Sequence, residues 1–135
     1  MAGPTDPRFL LALGQFDKAL SRLHELLPLD ETPIVRDALI QRFEFTFETA
    51  WKAAYRWLRA RGADVAEEAF AVLPRAFANR LVTDEGAWNQ MRKMRNLTSH
   101  TYHEPYAVQV AAFVRGDGVR LFDDLAHTLK ARADE

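Results

Sequence analysis

The densest group of side chains able to do chemistry lies at positions 95–102. Arg95, Asn96, Thr98, Ser99, His100, Thr101 and Tyr102 bring a fixed cation, an amide, hydroxyls, an imidazole and a phenol into eight residues. Arginine stays protonated and offers a fork of donors that fits a phosphate. Histidine titrates near neutrality and can take or give a proton. Together they suit RNA cleavage by the ribose's own 2′-hydroxyl. A base removes the hydroxyl proton, a cation stabilises the crowded phosphorane, and neither metal nor cofactor is required. The same residue types fit a second role, because Arg and His near a helix C-terminus can bond its last carbonyls and complement its dipole.

Spacing constrains the first role. Arg95 and His100 stand five positions apart, about 140° around a regular helix. They converge only if the helix breaks within 97–101, or if two copies meet across a two-fold axis. On an unbroken helix Asn96, His100 and His103 would share one face, and Arg95, Ser99 and Tyr102 another. Other chemistry-bearing residues read as surface. His24 and His127 stand alone on helix faces, and Asp123-Asp124 is a solvated face. His100 and His103 have only Glu104 as a nearby carboxylate, so no metal site is expected. Arg92, Lys93 and Arg95, with Arg75 and Arg80, could form a phosphate patch or be ordinary surface charge.

The elements that must position these groups read as helices. Residues 1–7, with two prolines and a glycine, read as a flexible arm. The single domain then covers 8–135. Phe9, Leu13, Phe16, Leu20, Leu23 and Leu27 recur at steps of three and four up to Pro28. Thr32-Pro33 starts a long helix running to about Ala60, with Gly62 as its stop. Leu39, Phe43, Phe47, Ala50, Trp51, Ala54 and Leu58 form its stripe, with Phe45, Tyr55 and Trp57 off it. Asp64 and Glu67 match a capping box for a segment reaching about Arg80, kinked at Pro74 or divided there into two short pieces. Thr83-Asp84 caps a helix with Ala87, Met91, Met94 and Thr98 on one face, flanked by Trp88. A last helix over about 106–132 is kinked or split by Gly116-Asp117-Gly118. No strand alternation or repeat is visible. Short loops between amphipathic helices predict an all-α, up-and-down antiparallel bundle of four to six helices.

The totals narrow the function classes. At 135 residues, 48% hydrophobic and 11% aromatic, the chain makes one domain with a real core. A net charge of −1 gives no global pull toward nucleic acid or anionic lipid, so any RNA site is local. No cysteine is present, which excludes disulfides and thiolate sites and fits a cytoplasmic location. No signal peptide or membrane span is expected.

Two stretches resemble a known family. Arg42-Phe43-Glu44-Phe45-Thr46-Phe47-Glu48-Thr49-Ala50-Trp51-Lys52 is similar to the second-helix signature of the nucleotidyltransferase substrate-binding proteins. Ala76-Phe77, Leu81-Val82, Trp88, Met91 and the stretch 95–102 resemble its second signature. That family belongs to the HEPN class of helical bundles. The resemblance implies a homodimer and a minimal nucleotidyltransferase as partner. It also implies an Arg-x4-His ribonuclease centre, often the toxin of a toxin–antitoxin pair. Carried over, Arg95 and His100 are catalytic, Asn96 supports them, and Tyr102 is the residue a partner transferase would adenylylate. Ser99 and His103 join Asn96 as supporting groups. The chain departs from the pattern at His103, where an acid is expected, at Gly116-Asp117-Gly118, and at Pro74. Two functions follow from the resemblance: a toxin ribonuclease, or a non-catalytic subunit that binds substrate or nucleotide for the transferase.

Overall fold

The computed structural model describes residues 6–133. Six α-helices follow in order: α1 (Pro7–His24), α2 (Pro33–Ala60), α3 (Ala69–Ala78), α4 (Glu85–Leu97), α5 (Glu104–Phe113) and α6 (Val119–Ala133). Among the described residues there is no strand, so the expected all-α bundle is the fold. No described helix is long and apolar enough to cross a membrane.

Helix starts follow local chemistry. Asp6 Oδ1 accepts from the N–H groups of Arg8 (2.8 Å) and Phe9 (3.3 Å), and Pro7 occupies the first turn. Asp6 and Pro7 therefore belong to α1 and not to an arm; the rest of the expected arm, residues 1–5, lies outside the described residues. Thr32 Oγ1 accepts from Val35 N–H, and Gly62, at φ 86°, ends α2 as expected. Asp84 caps α4 through Ala87 N–H.

Tertiary packing sets α1 against α2 and α6 in antiparallel pairs. Arg42 Nη1 donates to Arg22 O, and the buried Thr46 hydroxyl reaches Ala19 O. His24 Nε2 meets Asp123 Oδ1 at 2.7 Å, and Lys130 pairs with Asp17. His24 is thus tied to α6 and is not an isolated surface histidine. At the centre, the Phe122 ring meets Phe16 (6.3 Å), Phe43 (6.0 Å) and Trp88 (6.0 Å), joining α6 to α1, α2 and α4.

Several expectations need correction. α1 stops at His24. Leu26, Leu27 and Leu29 N–H groups then bond three residues back, so Leu26 is buried and Leu27 only partly so. Pro28 has no N–H to continue the ladder and disfavours α geometry at Leu27, so the helix does not run through it. Asp64 caps nothing. Ala63 and Val65 pack on the core, residues 63–66 form no helix, and α3 begins at Ala69 as one helix containing Pro74. Trp57 is buried, covered by the Arg61 and Arg132 guanidiniums at 4.7 and 5.2 Å, and Trp88 is a core residue. The last helix starts at Glu104. Its glycines interrupt it as expected: regular α-helix gives way at Val114–Gly118 to a π-helical turn that separates α5 from α6. A Cβ on Gly118 would stand 3.2 Å from the Phe113 ring and carbonyl.

Candidate functional site at the α4–α5 junction

The helix carrying Arg95 breaks where its hydroxyl residues compete for backbone carbonyls. Thr98 Oγ1 donates to Arg95 O (2.6 Å) and Thr101 Oγ1 to Thr98 O (3.1 Å). A 3₁₀ turn, Thr98–His100, replaces the α-helix, and Pro105 lies in the first turn of α5. Neither Arg95 nor His100 caps this end with its side chain. Among the described residues the His100 imidazole makes no hydrogen bond, and the threonines satisfy the carbonyls.

The break opens a cleft of ≈ 490 Å³. One wall is Arg92, Arg95 and Asn96 of α4, followed by Ser99 and His100 of the turn. The rest of the lining is Phe47 and Glu48 of α2 with Ala69 and Phe70 of α3. Arg95, Asn96, Ser99 and His100 are thus brought together within one copy of the chain. Tyr102 is 87% exposed and stands beside the site, its ring 6.1 Å from that of His100. His103 is turned away onto the Tyr106 ring, 4.8 Å distant. Arg75 donates to Asp64 O and, like Arg80, does not line the cleft.

Arg95 is held from several sides. Its Nη1 donates to Thr98 Oγ1 (2.9 Å) and lies 3.3 Å from Glu44 Oε2, while Nη2 is 3.8 Å from Glu48 Oε1. Glu48 also accepts from Trp51 Nε1 at 3.2 Å. The guanidinium is therefore partly neutralised and oriented by the long helix α2. Its Nε is buried and has no hydrogen-bond partner among the described residues. Arg92 makes no ion pair among the described residues. Sequence reasoning missed Glu44 and Glu48; their signal was two carboxylates one turn apart, flanking the Phe43–Phe47 stripe. It also missed Phe70, which is 61% exposed. Among the described residues no group of three or more His, Cys, Asp or Glu side chains could hold a metal ion.

Fold and site together define a helical bundle with a polar cleft where one helix gives way to the next. Comparison with known proteins assigns the family. Residues 11–131 match the family described as nucleotidyltransferase substrate binding protein like, and the chain belongs to that family. It is 37% identical over 87 residues to a Haemophilus influenzae protein named "Probable ribonuclease HepT". That match spans 58% of this chain and 60% of the relative's length. A crystal structure from Thermus thermophilus superposes with a TM-score of 0.77 at 38% identity, covering 85% of this chain and 98% of that one. A Haemophilus influenzae structure, described as revealing the fold of a substrate binding domain of a nucleotidyltransferase, gives 0.75 at 27% identity. It covers 87% of this chain and 98% of that one.

Proposed function

We propose that the chain is a metal-independent ribonuclease of the HEPN type, acting in the cytoplasm as the toxin of a pair whose antitoxin is a minimal nucleotidyltransferase. The observation that carries this reading is the shared cleft. Arg95 and His100 line it together, and neither side chain is consumed as a helix cap. His100 takes the 2′-hydroxyl proton, the 2′-oxygen bonds to phosphorus, and the bond to the 5′-oxygen breaks. The 5′-oxygen leaves and takes its proton from water, and the other product ends in a 2′,3′-cyclic phosphate. Arg95 stabilises the charge that builds on the phosphorane. The grip of Glu44, Glu48 and Thr98 keeps its guanidinium from reorganising during the step. Asn96 and Ser99 offer further donors. Tyr102 is the candidate for modification by the transferase, since an attached nucleotide would set a phosphate and a base beside the cleft. The relative named a probable ribonuclease supports the same reading.

The chain acts as a homodimer in this proposal, supported by the exposed aromatic rings of Phe45 and Phe77. Light scattering at micromolar concentration should give twice 15.4 kDa; a monomer alone would refute it.

A second reading is favoured by the structural relative described as a substrate binding domain of a nucleotidyltransferase. There the cleft would bind substrate or nucleotide for a partner enzyme without cutting anything. Cleavage of RNA by purified wild type, Arg95→Ala and His100→Ala, with and without a chelator, decides between them. The ribonuclease reading expects each substitution to lower cleavage about 10²-fold or more, with no chelator effect. Wild type that cuts no RNA yet binds a nucleotide or the transferase would establish the binding subunit instead.

A further inference from the structure

We propose that Phe70 is a stacking platform for an unpaired nucleobase, so that the cleft takes single-stranded RNA; this rests on the ribonuclease reading above. Phe70 is the second residue of α3 and keeps 61% of its surface exposed. The buried arc of that helix is made by Val72, Leu73 and Ala76, so Phe70 is not a core residue left uncovered. Its ring faces the same cleft as Arg92, Arg95 and His100. Phe47, the other aromatic lining residue, is 3% exposed and serves as floor.

The lining residues differ in chemistry. On the α4 wall, Arg92, Asn96 and Ser99 follow at steps of four and three and present donors in a line along the cleft. Arg95 beside them is anchored by Glu44 and Glu48, whereas Arg92 makes no ion pair among the described residues. Arg95 is thus set at the reacting phosphate, and Arg92 is available to a neighbouring one. Glu48, the one carboxylate among the lining residues, is already engaged by Arg95 and Trp51. Cations and an exposed aromatic ring lining one cleft match a strand whose phosphates meet the cations and whose bases splay onto the ring. A paired base has both faces stacked and its edges occupied, so only an unpaired base can lie on Phe70.

The test measures binding and cleavage of a short unstructured RNA, the same RNA annealed into a duplex, and the same sequence with an abasic position at the cut site. Phe70→Ala and Phe70→Leu should each weaken single-strand binding about tenfold, and Phe70→Trp should retain it. The abasic strand should bind about as weakly to wild type as the intact strand binds to Phe70→Ala. The duplex should bind weakly whatever residue stands at 70. Equal binding by wild type, Phe70→Ala and Phe70→Leu, or a wild-type preference for duplex, would overturn the proposal. So would a change in solution mass on Phe70→Ala, which would make the ring part of a protein interface. Failure of this inference is separable from failure of the ribonuclease reading. A wild type that binds single strands through Phe70 but cuts none refutes only the nuclease. A wild type that cuts, with Phe70→Ala equally active and equally tight, refutes only the platform.

Discussion

After Glu85 the chain leaves regular α-helix at two places, the 3₁₀ turn Thr98–His100 and the π turn Val114–Gly118, and the two are furnished in opposite ways. At the π turn the polar groups are occupied. Arg115 donates to Leu27 O (3.0 Å) and Leu29 O (3.4 Å) and pairs with Glu31 (2.9 Å), which also pairs with Arg36. Gly118 closes the turn against Phe113. At the 3₁₀ turn the threonines satisfy the backbone, while Asn96, Ser99, His100 and Tyr102 stay exposed. One interruption holds the α1–α2 loop against the bundle. The other leaves titratable and hydrogen-bonding groups uncommitted beside a cleft. Irregular backbone by itself therefore does not mark a site here; what marks it is polar side chains that the fold does not use.

Trp51 tests whether the site can be separated from the core. Its ring is buried on α2 and its Nε1 holds Glu48, which in turn holds Arg95. Trp51→Ala should destabilise the chain by about 3–5 kcal/mol in denaturant unfolding. A melting point within a few degrees of wild type would show that α2 does not organise both regions.

Gly118→Ala probes the committed junction. The added methyl meets a ring and a carbonyl at 3.2 Å, so a loss of about 1–3 kcal/mol is expected from overpacking. Unchanged stability would mean that the π turn relaxes freely and is not a fixed joint.

His100→Ala makes the opposite prediction for the uncommitted junction. An exposed imidazole without a hydrogen bond should cost no more than about 0.5 kcal/mol of stability, whatever it does to cleavage. A larger loss would make His100 a structural cap and erase the contrast between the two turns.

The smallest effect concerns Glu31. Burial pushes its carboxyl up, but hydrogen bonds and charge from Arg115 and Arg36 outweigh this and hold it below its ordinary 4.5. A depressed carboxyl stabilises the fold above its unfolded value, and that contribution disappears as pH falls through the folded value. The melting-temperature gap between wild type and Glu31→Gln should be widest near neutrality and close as pH drops below 4.5. A gap constant with pH would remove the Arg115–Glu31 tie from the comparison.

Much of the bundle was legible because helix ends are short-range chemistry. Thr32-Pro33, Asp84 and Gly62 act on backbone groups within four residues, and the apolar stripes of α1 and α2 need only a period of 3.6. Local signals failed where a distant surface competed. The Asp64 box lost to packing of Ala63 and Val65 on the core, and Trp57, off the α2 stripe, was covered by Arg132 from the far end of the chain. The candidate site divides along the same line. Its residue types, and the need for either a helix break or a second copy to bring Arg95 and His100 together, could be read from 95–102 alone. The grip of Glu44 and Glu48 on Arg95 and the exposed ring of Phe70 in the same cleft came only with the tertiary structure. Those relations join residues on separate helices, and their geometry depends on how the helices pack, which no local pattern of side chains encodes.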